Sequence, residues 1–200
     1  MNAKAISFML FGVLLLALTG CDGLLTTEVT NEIAEPGNAE TSGVLHGYVG
    51  FEGLEGEAST EGYEGWSRLY SLEDGFTSAM PTPSNPSSKP EYVPIRIVKE
   101  RDTASPELFQ RLVGSQHILL ASIAILRDTP DGQLEYYRYD LETVYVTEYQ
   151  FGETDAHEGT PTEVIELGFE KVTITYTPIK DDGSPGLPVT ASWDFRAHTE

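Results

Sequence analysis

The 200-residue chain contains one cysteine, Cys21. Neither a disulfide nor a thiolate metal cluster can form within one copy. Bases are also scarce, with 12 lysines and arginines against 32 acids, for a net charge of −20 at pH 7. Such a field repels phosphates and anionic membrane surfaces, so aromatic-rich segments are not read as nucleic-acid platforms and no nucleic-acid partner is expected. The four histidines, His46, His117, His157 and His198, never fall at His-x-x-x-His or His-Glu-x-x-His spacing, which would set metal ligands on one helical face. There is no Gly-x-Ser-x-Gly elbow and no Gly-x-x-x-x-Gly-Lys phosphate loop. Asp181-Asp182-Gly183-Ser184 lacks the alternating acids and the distant glutamate of a calcium loop and reads as a β-turn. No catalytic residue, cofactor or metal is expected, and the chain does not read as an enzyme.

The amino-terminal end has its own character. Lys4 precedes an uncharged apolar run, residues 5–18, which is short for a bilayer span and is followed by small residues. Residues 1–20 are therefore expected to be a signal peptide. Its end, Leu18-Thr19-Gly20-Cys21, resembles the lipobox of bacterial lipoproteins, which implies lipid attachment at Cys21 after cleavage. Asp22 resembles the inner-membrane retention signal of some proteobacterial lipoproteins. The implied location is the bacterial cell envelope, at the periplasmic face of the inner membrane or at the outer membrane. Residues 21–43 then carry Asp22, Glu28, Glu32, Glu35 and Glu40 with no base, and read as an acidic flexible tether with a reach of about 25 Å.

Residues 44–200 read as one domain with no composition shift dividing it. Strands are expected over 45–51, 66–72, 93–99, 118–127, 134–141, 144–151, 163–169, 172–177 and 189–196. Asp131-Gly132 is a hairpin signal, and the proline-rich stretch 77–92 is the longest loop. Pro94 suggests that its strand begins there or lies at an edge. Residues 105–114 read as the one helix, with Ser105 as N-cap, Pro106 in the first turn, Glu107 opposing the positive end and Gly114 as the stop. The i, i+4 pairs Leu108/Leu112 and Phe109/Val113 are expected to cover a β-surface, leaving Gln110 and Arg111 to solvent or a neighbour. About nine strands and one helix make the fold class mainly β: a closed or nearly closed antiparallel β-barrel, or two-sheet arrangement, with a short α-helix packed against it.

The order of several short segments resembles the haemolysin-coregulated proteins, tube subunits of bacterial type VI secretion systems. The matching pieces are Gly53-Leu54-Glu55-Gly56-Glu57-Ala58, Glu64-Gly65-Trp66, Asp102-Thr103-Ala104-Ser105-Pro106-Glu107-Leu108 and Glu135-Tyr136-Tyr137. Pro161-Thr162-Glu163, Phe169-Glu170-Lys171-Val172, Tyr176-Thr177-Pro178 and Ala191-Ser192-Trp193-Asp194 complete the series. The resemblance implies a barrel with a packed helix and a structural, non-catalytic role. It also implies self-assembly into hexameric rings that stack into a secreted tube, with other type VI components or effectors as partners. Inter-ring contacts would fall partly on residues 77–92, which depart from the family's glycine-rich form. A lipobox is foreign to ordinary tube subunits, so the alternative is a lipid-anchored envelope binding or adaptor module that has lost tube assembly.

Other residues receive packing roles. Tyr136, Tyr137, Tyr139, Tyr145 and Tyr149 suit cross-strand packing, and Trp66 and Trp193 read as core. His117 is expected to cap the negative end of the helix. His157 reads as a solvated turn residue.

Overall fold

The computed structural model describes residues 45–80, 89–130, 132–152 and 160–197. Cys21, the signal peptide, the tether, His157 and His198 lie outside them. The elements are β1 (His46–Phe51), β2 (Ser67–Ser78), β3 (Pro90–Glu100), α1 (Ser105–Val113), β4 (Ile118–Thr129), β5 (Gly132–Gly152), β6 (Thr162–Gly168), β7 (Lys171–Tyr176) and β8 (Val189–Asp194). Every pairing is antiparallel. Hydrogen-bonded neighbours run β4-β1-β2-β3-β6-β5, and β5 pairs again with β4, so six strands close a barrel. β7 and β8 extend from β5 as a two-strand flap.

Eight strands appear where about nine were expected, because 134–141 and 144–151 are parts of the single strand β5. Up to Val144 this strand is held by β4, while its other edge pairs first with β7 and then with β6. The pairs Glu142↔Lys171 and Tyr145↔Gly168 keep one register, so β6 and β7 form one interrupted strand along β5. At the interruption, the Tyr92 hydroxyl donates to the Phe169 carbonyl at 2.6 Å and accepts the Phe169 N–H at 3.0 Å, replacing the missing ladder. Thr143, where β5 leaves β4, has φ +53°, a strained setting for a β-branched residue.

The barrel interior is filled by alternate residues of several strands, including Val49, Leu69, Ile95, Ile97, Ile123, Leu141, Ile165 and Leu167. β4 is buried on both faces. Ala121, Ile123 and Ile125 point to the main core, whereas Ala124 and Leu126 lie in a second cluster with Tyr48, beneath Ala58, Tyr63 and Trp66. That double cover explains why β4 reads as a continuous apolar run. Trp66 belongs to this outer layer rather than to the barrel interior. Gly50 admits it, since a Cβ there would lie 2.6 Å from the indole.

The expected loop 77–92 is shorter than its composition suggests: β2 runs to Ser78 and β3 begins at Pro90, with Phe76↔Tyr92 and Ser78↔Pro90 paired. Pro94 does not begin β3, but it does lie where the strand is still an edge on its β6 side. It falls at a register irregularity opposite Asp74, just before pairing with β6 begins at Ile95, so no ladder N–H is missed.

The helix differs from expectation at both ends. Ala104 occupies the N-cap position, and Ser105 is the first helical residue. Gly114 remains right-handed at φ −86°; the left-handed residue is Ser115, at φ +49°. Ser115 N–H donates to the Leu112 carbonyl and Gln116 N–H to the Arg111 carbonyl, the double closure of a Schellman motif. Only the pair Leu108/Leu112 packs on the core; Phe109 and Val113 are 46% and 64% exposed.

Candidate functional site

The eight family-like segments, scattered in sequence, meet as pairs. Gly56 N–H bonds to the Gly65 carbonyl, and Ala58 N–H to the Trp66 carbonyl. Thr177 N–H reaches the Tyr136 carbonyl, and Tyr137 stands opposite Tyr176. Lys171 and Val172 face Asp194 and Trp193 across the flap. The remaining two, 102–108 and 161–163, meet beneath α1.

There the barrel interior holds charge. Lys99 follows Ile95 and Ile97 in the inward phase of β3, and Glu163 precedes Ile165 and Leu167 in the inward phase of β6; both are fully buried and directly opposed. Lys99 Nζ donates to Glu163 Oε1 and Asp102 Oδ1, both at 2.9 Å, and to the Glu100 carbonyl at 2.6 Å. Ser105 Oγ donates to Glu163 Oε1 at 2.9 Å and accepts the Asp102 N–H at 3.0 Å, while Asp102 Oδ1 accepts the Ala104 N–H. Tyr149 donates to Glu163 Oε2 at 2.5 Å. Three strands and the helix start are thereby tied to one ammonium and two carboxylates. Desolvation makes such a group costly unless every partner is present, so it specifies one seating of the helix. Burial and the Glu163 carboxylate raise the Tyr149 hydroxyl's pKa far above its ordinary value. The same causes raise Tyr139, which donates to Asp74 at 2.8 Å, and Tyr63, which donates to Glu135 at 2.7 Å. With acids in large excess, tyrosine hydroxyls serve as donors that the few bases cannot supply.

Among the sheet edges without a strand partner in the described residues are the outer edge of β8 and the β4-side edge of β5 beyond Val144. Each is flanked by exposed apolar side chains. Beside β5 stand the exposed Phe109 and Phe151, linked through Tyr149 by ring contacts of 6.1 and 4.9 Å, with Arg101 4.6 Å above Phe151; Val113, one helical turn on from Phe109, is exposed as well. At the start of β8 stand Leu187 and Val189, 88% and 66% exposed.

Comparison with known families settles the relationship. The model of the family described as "Type VI secretion system effector, Hcp" matches residues 48–176. The chain belongs to the Hcp family. Protein hcp1 of Pseudomonas aeruginosa is 28% identical over 107 residues, 53% of this chain, and the match spans 65% of that relative's length. Among solved structures, a type six secretion system protein superposes with a TM-score of 0.70 at 20% identity, covering 78% of this chain and 98% of its own. Hcp1 from Salmonella typhimurium gives 0.63 at 20% identity, with the same coverage of each chain. These similarities show the shared fold: an Hcp barrel with one short helix.

Within this Hcp-family barrel the expected roles redistribute. His117 does not cap the helix with its ring; its carbonyl accepts the Arg111 guanidinium at 3.5 Å, alongside Gln116 Oε1 at 3.3 Å. Arg111 thus stays at the surface, as expected, and ties the last turn of α1 to the residues that follow it. His46 is exposed at the start of β1. All five singled-out tyrosines lie on β5, where Tyr137 packs against Tyr139 and Tyr176 and Tyr145 approaches His117. Trp193 is half-buried against the main core. Asp182 accepts Ser184 N–H and Oγ–H within a turn that has Gly183 at φ +84°. The sequence sets Lys99 in one phase with Val93, Ile95 and Ile97, but its buried pairing with Glu163 depends on the register of β3 on β6. Among the described residues, no helix is long and apolar enough to cross a membrane.

Proposed function

We propose that this chain is a non-catalytic structural subunit of a type VI secretion tube, closing through its free sheet edges into a six-membered ring. The supporting observation is the pair of dissimilar unpartnered edges, β8 and the distal half of β5, each bordered by exposed apolar side chains. Contact between two different patches repeats head to tail, and such contacts generate rings when the rotation closes. The closed barrel and the buried clamp make each subunit a rigid block, which suits a load-bearing wall. Light scattering after size exclusion on a form starting at residue 22 tests this: a six-fold mass supports it, and a strict monomer at high concentration refutes it.

The lipobox adds that the subunit is attached to the envelope through Cys21, with residues 22–43 as a spacer. Metabolic labelling with radioactive palmitate should mark the wild type and not Cys21→Ala; an unlabelled wild type defeats the anchor while leaving the ring proposal standing.

A further inference from the structure

Two adjoining clefts on the outer side of β1 and β2 share the wall Tyr48, Thr60 and Arg68. The larger, about 530 Å³, is also lined by His46, Tyr70, Gln133 and Thr160, and among the described residues by no carboxylate. In a chain with 32 acids and 12 bases, this described lining departs from the overall charge. The smaller, about 250 Å³, carries Glu57, Glu100 and Asp102. Asp102 is nearly completely buried, and its Oδ2 has no hydrogen-bond partner, whereas Oδ1 is saturated by Lys99 and the Ala104 N–H. A buried carboxylate oxygen left unpaired is costly and favours an incoming donor.

The shared wall is built rather than incidental. Tyr48 and Thr60 hydroxyls bond at 2.7 Å, fastening the 52–66 loop over the sheet. The Tyr70 hydroxyl donates to Glu100 Oε2 at 3.3 Å. Arg68 lines both clefts, so the groove holds a guanidinium beside the carboxylates of the smaller one.

We infer that this groove binds a small zwitterion of amino-acid to dipeptide size. Its carboxylate lies in the larger cleft toward Arg68, with the hydroxyls of Tyr48 and Thr60 beside it, and its ammonium lies in the smaller cleft between Glu57, Glu100 and Asp102. Charge-assisted hydrogen bonds at both ends give the orientation.

Saturation-transfer NMR on the full chain tests the inference with three probes: glycylglycine, its N-acetylated form, which keeps only the carboxylate, and its amide, which keeps only the ammonium. The expected result is saturable binding of glycylglycine, about tenfold or more tighter than either capped probe, this being the loss of one charge-assisted bond. Arg68→Gln should abolish the advantage over the amide, and Glu57→Gln should weaken the advantage over the acetylated probe. Both residues are exposed, so thermal melting should confirm that the variants remain folded. No saturable signal, equal binding of all three probes, or indifference to both substitutions would overturn the zwitterion site.

Discussion

At the scale of single residues, the buried clamp carries the sharpest consequences. Replacing Glu163 by Ala removes the partner of a fully buried ammonium and should destabilise the barrel by about 3–5 kcal/mol in urea unfolding. The triple substitution Lys99→Met, Asp102→Asn and Glu163→Leu should lose less, because it leaves neither the ammonium nor a carboxylate buried without its partner. A triple variant no more stable than the single one would mean that the clamp does not behave as a coupled charge group. Tyrosine titration provides an independent check. Tyr63, Tyr139 and Tyr149 have folded pKa values raised above the unfolded value near 10, so their stabilising contribution is complete below pH 10 and is lost as pH rises beyond it. Absorbance at 295 nm should show three of the ten tyrosines ionising only as the protein unfolds. Complete ionisation near pH 10 in the folded state would contradict the hydrogen bonds to Asp74, Glu135 and Glu163. Gly50→Ala should place a methyl against Trp66, cost about 1–3 kcal/mol and red-shift tryptophan emission as the indole is displaced.

At the scale of elements, strand existence was legible because β3 alternates with period two, and the double-sided run of β4 is the mark of cover on both faces. Boundaries were less legible. Nothing local separates 134–141 from 144–151 as two strands or joins them as one; the join depends on β6 and β7 holding the far edge across Thr143. The helix ends were misplaced for a tertiary reason: Ser105 was taken from the cap by Glu163, a residue 58 positions away, and Asp102 then took the first free N–H. The 3.6-residue pattern gave two apolar pairs but not which one meets the barrel. The structure gives a direct test of that division. Leu112→Asp should undock α1 and unfold the domain, whereas Phe109→Ser with Val113→Ser should shift stability by no more than about 0.5 kcal/mol per site and act on self-association instead. Arg111→Glu should cost about 0.5–1 kcal/mol, since it places a like charge at the negative helix end that Arg111 closes. Circular dichroism melts distinguish the three.

At the scale of the whole molecule, charge and assembly oppose one another. Each chain carries −20, so a ring concentrates like charge at every interface, while the exposed apolar side chains beside β5 and β8 favour contact. Association should therefore strengthen as salt screens the repulsion over the Debye length, the reverse of an interface built on opposite charges. Sequence made the family legible through segments that turn out to be spatial partners, but it left the edges unseen, because an unpaired strand edge depends on topology and not on composition. The measurement closest to the central claim is the mass of the soluble form by light scattering, taken at low and at raised ionic strength. The account predicts a six-fold species that gains population with salt and is lost when Phe109 and Val113 are replaced by serine; a monomer under every condition, or a ring indifferent to that substitution, would contradict it.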